Sequence, residues 1–203
     1  MARAFNPATA KFTGDPLRVS DGVANDSTAW HMDASVSRNG LLILGSGGSS
    51  DLSLVWLDRA GKQIGIIADH LPGLVNARLS PRGERMALQI DAGVNDIWVL
   101  DLSRGVRTRI TFGPNKNTSP VWSPDGEWIA YSGTRKGQVN IYRRRADGSG
   151  GEELLLSDPR QISQCGLCGN LPVDWSRDGR YLFYLGGGQG KWQVSQGSGL
   201  SPE

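Results

Sequence analysis

A short hairpin pattern recurs four times along the chain. The clearest copy is SPVWSPDGEWIAYSG, Ser119–Gly133. Related stretches occur at 33–45, 76–90 and 172–185. Their turn serines are 43, 43 and 53 residues apart: Ser37, Ser80, Ser123 and Ser176. A near-constant period of this length indicates a repeat architecture, in which each copy is one supersecondary unit.

Two further elements follow each of the first three hairpins. An alternating apolar segment is centred on an aromatic residue, which lies 19, 18 and 19 residues after the serine: Trp56, Trp98 and Tyr142. Each such segment ends in a polar turn that contains glycine, and a third apolar segment follows it. Alternation between turns is typical of half-buried strands. The repeat is therefore predicted to contain four short strands.

The Ser-Pro-Asp-Gly turn has a structural explanation. Pro124 suits the fixed φ of the second turn position, Asp125 can accept hydrogen bonds from nearby backbone amides, and Gly126 accepts a positive φ. We therefore interpret the serine and aspartate of this turn as structural rather than catalytic residues.

About 43 residues and four strands per repeat predict an all-β fold, a β-propeller of four-stranded antiparallel blades. We expect about four blades within one propeller segment, 1–203. The predicted parts are an outer strand of a preceding blade at 12–23, blades at 30–70, 74–113 and 118–157, and a partial blade at 171–195. Five tryptophans are predicted to pack between blades: Trp56, Trp98, Trp122, Trp128 and Trp175.

The fourth blade is short, so the sequence predicts an incomplete or open arc rather than a closed ring. An open arc leaves apolar blade faces and strand edges bare, and such surfaces promote association. We expect self-association through these faces, or a neighbouring blade in a larger parent protein. A closed ring of four blades is the less favoured alternative.

VWSPDGEWIAYSG, NIYRRRADG and LSPRGERMALQIDAGVNDIWVLDL resemble the blades of TolB-like, WD-type propellers. The order of motifs is similar to the C-terminal propellers of bacterial receptor-type serine/threonine kinases. The resemblance runs from about residue 12 to about residue 192. It implies a propeller fold and a periplasmic or extracytoplasmic location, but it specifies little about function, because propellers support many activities.

Composition and charge argue against several partners. The 22 basic and 20 acidic residues leave a net charge of +2, which provides no broad field to attract nucleic acid or an anionic membrane surface. The stretch MARAFNPATAKF lacks the apolar run of a secretory signal. We expect no nucleic-acid partner and no membrane contact by this chain.

Catalytic motifs are not evident. The histidines are His31 and His70, and no G-x-S-x-G elbow or kinase motif accompanies them. GGGQGKW lacks the spacing and the final Ser or Thr of a phosphate-binding loop. We therefore predict that the chain is not an enzyme and carries no cofactor.

Cys165 and Cys168 form a C-x-x-C pair in QCGLCGN. Loop thiols or a local disulfide are the favoured interpretation, a redox-sensitive pair is the second, and half of a zinc site is the third. A zinc site would need ligands from a partner chain, because no second pair follows.

Polar loops are the remaining candidates for function. Connections between blades and between the two middle strands meet on one face of a propeller, and there they are predicted to present Asp69, His70, Asp91, Asn95, Asn115, Asn117 and Asp158. These side chains suit a protein or peptide ligand. We favour a non-catalytic interaction or sensor module. The alternatives are the propeller of a larger enzyme, either a receptor kinase or a prolyl-oligopeptidase-type peptidase, and a TolB-type translocation component.

Overall fold

The structure is a computed structural model of the chain, and it describes residues 2–6, 9, 11–17, 25–26, 31–32, 34–36, 42–46, 52–58, 60–157, 170–186 and 192–195. Within these residues every regular element is a β-strand. Two small antiparallel sheets come first and pair β1 (Ala2–Asn6) with β2 (Lys11–Leu17) and β3 (Asn25–Asp26) with β4 (His31–Met32). The strand predicted near residues 12–23 therefore overlaps β2, which pairs with β1.

Three antiparallel four-stranded sheets and one three-stranded sheet follow in chain order. The first blade contains β5 (Ala34–Val36), β6 (Leu42–Ser46), β7 (Leu52–Leu57) and β8 (Gln63–Leu71). The second contains β9 (Leu74–Leu79), β10 (Arg85–Asp91), β11 (Asn95–Asp101) and β12 (Arg107–Arg109). The third contains β13 (Asn117–Trp122), β14 (Trp128–Arg135), β15 (Gln138–Arg145) and β16 (Glu153–Leu156). The fourth contains β17 (Leu171–Trp175), β18 (Leu182–Leu185) and β19 (Trp192–Ser195). The predicted all-β architecture of antiparallel blades is confirmed.

The turn serine closes the hairpin between the first two strands of a blade. The Oγ of Ser123 accepts a hydrogen bond from the amide of Trp128 at 2.9 Å. The amide of Gly126 donates to the Ser123 carbonyl at 2.9 Å, and Gly126 has a φ of +77°. Ser80 and Ser176 make the same side-chain contact, at 3.0 and 2.8 Å. The turn serine thus has the structural role in the hairpin that the sequence predicts for it.

The core lies between successive blades and follows the register of the repeat. Ala87 and Ala130 each lie seven residues after a turn serine and are fully buried. Ala87 belongs to one buried cluster with Tyr131 of the third blade, and Ala130 belongs to another with Tyr184 of the fourth. Small side chains on one blade thus let large side chains of the next approach closely. This stacking buries the blade faces that a single sheet would expose.

Four of the five tryptophans contribute to this packing. Trp122 is buried and donates its Nε1–H to the carbonyl of Arg78 in the preceding blade at 2.8 Å. Trp175 is also buried, whereas Trp56 and Trp98 are partly buried at the interface between the first and second blades. The prediction for Trp128 was wrong. Its ring is half-buried beneath two guanidinium groups on its own blade, because β15 is rich in arginine there.

The far face of the fourth blade differs from the faces inside the stack. Phe183 and Leu185 lie seven and nine residues after Ser176 and are 38% and 37% exposed. The corresponding positions of the third blade, Ala130 and Ser132, are 0% and 1% exposed. The face that interior blades cover is therefore apolar and open here.

Candidate functional site

The predicted binding loops lie at one edge of the blades. In each meander the second strand ends and the third begins at this edge, and the connection to the next blade arrives there. We call this edge the loop face and define it by four segments, each a connection with the strand ends that border it: 69–74, 91–95, 110–117 and 135–138. Among the described residues, it contains six of the seven side chains predicted for the site.

The loop Asp91–Asn95 is held rigidly. The Oδ1 of Asp91 accepts a hydrogen bond from the amide of Gly93 at 3.0 Å, and Oδ2 accepts one from Nδ2 of Asn95 at 3.1 Å. Asn95 in turn accepts a hydrogen bond from Nε2 of Gln89 at 2.8 Å. The Asp91 carboxylate nevertheless stays exposed. This loop can therefore present a preformed carboxylate to a partner.

The connection between the first and second blades lies directly against this loop. The amide of Asp91 donates to the carbonyl of Gly73 at 2.7 Å. A Cβ on Gly73 would lie 2.1 Å from the Asp91 carbonyl oxygen, so no larger residue fits without backbone movement. Asp69 and His70, which the sequence placed in a loop, lie near the end of β8, just before this connection; both are exposed, and His70 has a φ of +53°. The structure thus links the segment that carries Asp69 and His70 to the Asp91 loop.

Asn117 is buried, although the sequence placed it among the exposed loop residues. Its side chain is fully enclosed and makes three hydrogen bonds within the protein. Its Nδ2 donates to the Asn115 carbonyl at 3.0 Å and to Oδ1 of Asp96 at 3.3 Å, and its Oδ1 accepts from Arg135 at 2.9 Å. The Asn117 amide is therefore engaged inside the protein, and the Asn115 carbonyl helps to hold it.

A buried polar cluster that sequence reasoning missed lies below the loop face. Asp96 accepts hydrogen bonds from Thr111 at 2.7 Å, from Asn117 and from Arg109. Thr111 also accepts a hydrogen bond from the amide of Ile97 at 2.9 Å. These contacts pair the carboxylate with a cation and hydrogen-bond donors, as a buried charge requires. The cluster joins the second and third blades.

A signal for this cluster was present in the repeat. Asp96 lies two residues before Trp98, and Asn140 lies two residues before Tyr142. Both polar side chains are buried. The corresponding residue of the first blade is the buried Leu54, so a polar residue at this offset occurs in the second and third blades but not in the first.

Arg135 extends the cluster to the outer part of the third blade. Its guanidinium pairs with Glu152 at 2.5 Å and lies over the ring of Tyr142, 4.7 Å from the centroid. Tyr131 donates its hydroxyl to Glu152 at 2.6 Å. Burial and this hydrogen bond raise the pKa of Tyr131, so the hydroxyl remains a donor at neutral pH.

Three predicted residues lie outside the described part of the chain: Asp158, Cys165 and Cys168. Within the described part, no three His, Cys, Asp or Glu side chains cluster closely enough to hold a metal ion. None of the described segments forms a helix of the length and apolarity needed to cross a membrane. The described loop face presents carboxylate and imidazole groups at its surface, and their chemistry suits hydrogen bonding and ion pairing with a partner.

Comparisons with known proteins agree with this architecture. The family model PD40, described as the TolB beta propeller domain, matches residues 49–199. A solved structure of a TolB candidate from Agrobacterium tumefaciens is 28% identical and superposes with a TM-score of 0.62. That similarity covers 75% of this chain and 52% of that one.

Two curated relatives are similar over shorter stretches. The uncharacterized protein Atu1656 of Agrobacterium fabrum is 46% identical over 64 residues, which are 32% of this chain and 22% of that protein. The uncharacterized peptidase YuxL of Bacillus subtilis is 29% identical over 130 residues, which cover 58% of this chain and 18% of that protein. This chain thus spans less than a quarter of the length of either curated relative. The match to the family model covers most of the chain and coincides with the observed blades, so the chain belongs to the PD40 family of TolB beta propeller domains.

Proposed function

We propose that the chain is a non-catalytic protein-interaction or sensor module that forms part of a larger protein. The observation that supports this proposal is the rigid presentation of exposed polar groups on the loop face. Hydrogen bonds from Gln89, Asn95 and Gly93 fix the Asp91 loop, while Asp91 itself stays accessible. Loops positioned by a rigid scaffold are the usual place for recognition in such folds.

A protein or peptide is the ligand that this surface suits best. Asp69, His70 and Asp91 offer separate donors and acceptors along a broad edge of the blades. A surface of this kind can form the polar rim of a protein interface.

The parent protein could place this module beside a catalytic domain. Similarity to the uncharacterized peptidase YuxL supports a role as the propeller of a peptidase, and the order of the motifs supports a receptor kinase. Similarity to TolB structures supports a third alternative, a component of a translocation complex. The coding sequence that flanks this segment distinguishes the three: a kinase domain, a hydrolase domain or neither.

Affinity capture with two matched double variants tests the use of the loop face. Asp69→Ala combined with His70→Asn removes exposed groups from the loop face, and asparagine tolerates the positive φ at position 70. Arg82→Ala combined with Glu84→Ala removes two exposed side chains from the opposite edge and serves as the control. Each immobilised protein is incubated with lysate of the source organism, and retained proteins are identified by mass spectrometry.

We expect one partner to bind the wild-type protein and the control but not the loop-face variant. Equal retention by all three proteins would show that the loop face is not used. Absence of any retained partner would contradict the proposal of an interaction module. Hydrolysis of peptide amides by the purified chain would contradict the proposal that it is non-catalytic.

A second candidate interaction is self-association through the far face of the fourth blade. Phe183 and Leu185 occupy positions that are covered inside the stack but are over a third exposed here. The occupant that we propose for the isolated chain is a second copy. Phe183 and Leu185 lie on the face of the fourth blade that corresponds to the faces of the second and third blades on which the following blade packs. A second copy could therefore continue the same kind of interface. Burial of one such side chain contributes about 1.5–3 kcal/mol.

A further inference from the structure

Three consecutive arginines on β15 have different surroundings. Successive side chains of a strand point to opposite faces, so Arg143 and Arg145 share one face and Arg144 lies on the other. The guanidinium groups of Arg143 and Arg145 lie 4.3 and 4.4 Å from the ring centroid of Trp128. Arg143 pairs with Glu153 at 2.7 Å, and Arg145 pairs with Glu127 at 2.8 Å. Both of these charges are therefore compensated within the blade.

Arg144 has no such compensation among the described residues. Its Nη2 donates to the carbonyl of Gly150 at 3.0 Å, but its Nε is buried without a hydrogen-bond partner. No carboxylate of the described chain forms an ion pair with it, since the neighbouring Glu152 binds Arg135. A buried donor on a charged group is costly when it is left unpaired. The buried Nε is out of reach of a ligand, but Arg144 as a whole is only partly buried, so an anion that contacts its Nη groups would balance its charge.

An exposed aromatic ring lies next to this guanidinium. Phe112 is 57% exposed, and its ring centroid lies 5.4 Å from the guanidinium of Arg144 and 5.5 Å from that of Arg109. Arg109 is already occupied, because it pairs with Asp96 and donates its Nε–H to the carbonyl of Thr111 at 2.9 Å. Arg144 is thus the guanidinium beside Phe112 that lacks an anionic partner.

The segment Gly148–Gly151 borders the same place and leaves it open. A Cβ on Gly150 or Gly151 would meet no heavy atom within 4 Å, so space surrounds this part of the chain. At Gly148 a Cβ would contact Ile110 and Thr108 of the second blade at 3.7 and 3.9 Å, so the segment lies against that blade. The place therefore lies at the junction of the second and third blades. We call it the Phe112–Arg144 notch and define it by Phe112, Arg144 and Gly148–Gly151.

We propose that the Phe112–Arg144 notch binds an acidic peptide segment, with a carboxylate on Arg144 and an apolar side chain against Phe112. An arginine guanidinium presents a planar set of donors that fits a carboxylate, and the exposed ring offers apolar contact. The carboxylate of Asp96 pairs with Arg109, the other guanidinium beside Phe112, so a single negative charge in the notch is favoured over the double charge of a phosphate. This inference goes beyond the proposed function, because the notch contains none of Asp69, His70 and Asp91, although Phe112 lies in the segment 110–117 that belongs to the loop face.

Nuclear magnetic resonance titration with two short peptides tests the notch. The probe is acetyl-Glu-Phe-Glu-amide, and acetyl-Gln-Phe-Gln-amide is the neutral control peptide. We expect the acidic probe to shift the amide resonances of Phe112, Gly148, Gly150 and Gly151, with at least about tenfold weaker binding of the neutral peptide, because hydrogen bonds to charged groups contribute about 1.5–3 kcal/mol.

Matched variants separate a local site from general attraction. Arg144→Gln removes the charge inside the notch, and Arg145→Gln removes the same charge from the opposite face of the same strand. We expect Arg144→Gln to weaken binding by about tenfold or more, whereas Arg145→Gln leaves it within about twofold. Phe112→Ala, at a side chain that is 57% exposed, should weaken the binding as well.

Three results would overturn the proposal: no shifts at millimolar probe, equal binding of the neutral peptide, or equal loss in Arg144→Gln and Arg145→Gln. Dispersed spectra of each variant verify that it is folded. If Arg144→Gln fails to fold, Phe112→Ala decides the outcome, and unchanged binding by that variant would then contradict the proposal. The loop-face variant should bind the probe normally, so failure of the notch is distinguishable from failure of the proposed function.

Discussion

Two blade interfaces share the same apolar packing but differ in the polar residues that close them. One lies between the second and third blades, and the other lies between the third and fourth. In both, an alanine seven residues after the turn serine packs with large side chains of the following blade. The first of these interfaces is closed by Asp96, which binds Arg109, Thr111 and Asn117. The second has Asn140 at the position of Asp96 and Asn170 at the position of Asn117.

The asparagine at the second interface is less well satisfied than its counterpart. Asn170 is fully buried, and its Nδ2 donates to the carbonyl of Val139 at 3.3 Å. Its Oδ1 has no hydrogen-bond partner in the described part of the chain. Asn117 has partners on both ends of its amide. The repeat therefore constrains the apolar packing closely, whereas the polar residues that close each interface differ.

Asp96, the charged residue, should give the largest difference in free energy of unfolding between matched variants of the two interfaces. Asp96→Ala leaves Arg109 without its carboxylate and Thr111 without an acceptor. We expect a loss of about 3 kcal/mol, at the lower end of the range for a broken buried pair, because the Arg109 side chain is 37% exposed. Asn140→Ala, the matched change at the second interface, should cost about 1 kcal/mol. Urea unfolding followed by tryptophan fluorescence measures both, and equal losses of stability would contradict a larger contribution from the charged residue.

Replacing Asn117 should also cost more stability than replacing Asn170, but the difference should be smaller. Asn117→Ala removes hydrogen bonds to Asp96, Arg135 and the Asn115 carbonyl, and we expect a loss of about 2 kcal/mol. Asn170→Ala removes one long hydrogen bond together with an unpartnered oxygen, so its cost should be about 1 kcal/mol or less. The same unfolding experiment compares the two variants. A greater loss of stability from Asn170→Ala would contradict the conclusion that Asn117 is the better hydrogen-bonded of the two.

Acid should lower the stability through the turn between the third and fourth strands of a blade, a feature that the second and third blades share. Hydrogen bonds from the Ser103 side chain and the Arg104 amide lower the pKa of Asp101 from 3.8 to about 2. Asp147, which occupies the same connection of the third blade, has its pKa lowered by Ser149. A lowered folded pKa stabilises the fold above the unfolded value, so this contribution is present at neutral pH and is lost as the pH falls from about 4 to about 2.

Carbon-detected magnetic resonance titration of the aspartate carboxyl groups measures this effect. Asp101→Asn should remove its share of the acid dependence and leave the Asp147 titration unchanged. Titration of Asp101 near 3.8, its ordinary value, would contradict the hydrogen bonding described for this turn.

The fold could be predicted because its signals are local. A turn serine, a glycine with positive φ and alternating apolar residues specify a hairpin within about fifteen positions, and their recurrence specifies the blade. Trp128 was misassigned for a reason that is not local. Its surroundings depend on Arg143 and Arg145, which reach it across the strand pair.

The site was harder to predict because it depends on contacts between blades. Asn117 reads as an exposed loop residue in the sequence, but stacking of the blades buries it against Asp96. The cross-blade hydrogen bond from the Ser119 amide to Gln89 joins positions 30 residues apart and has no local signal. Asn117 and Asn170 each lie six residues before a turn serine, and that regularity could have revealed their shared role.

Light scattering of the purified chain tests whether the blades form an open arc whose uncovered face takes part in association. We predict a mass above 21.9 kDa that rises with concentration, and a return to about one chain mass in Phe183→Asp. Phe183 is already 38% exposed, so this variant should stay folded, and its unfolding curve verifies that. A wild-type mass near 21.9 kDa at every concentration would contradict the account.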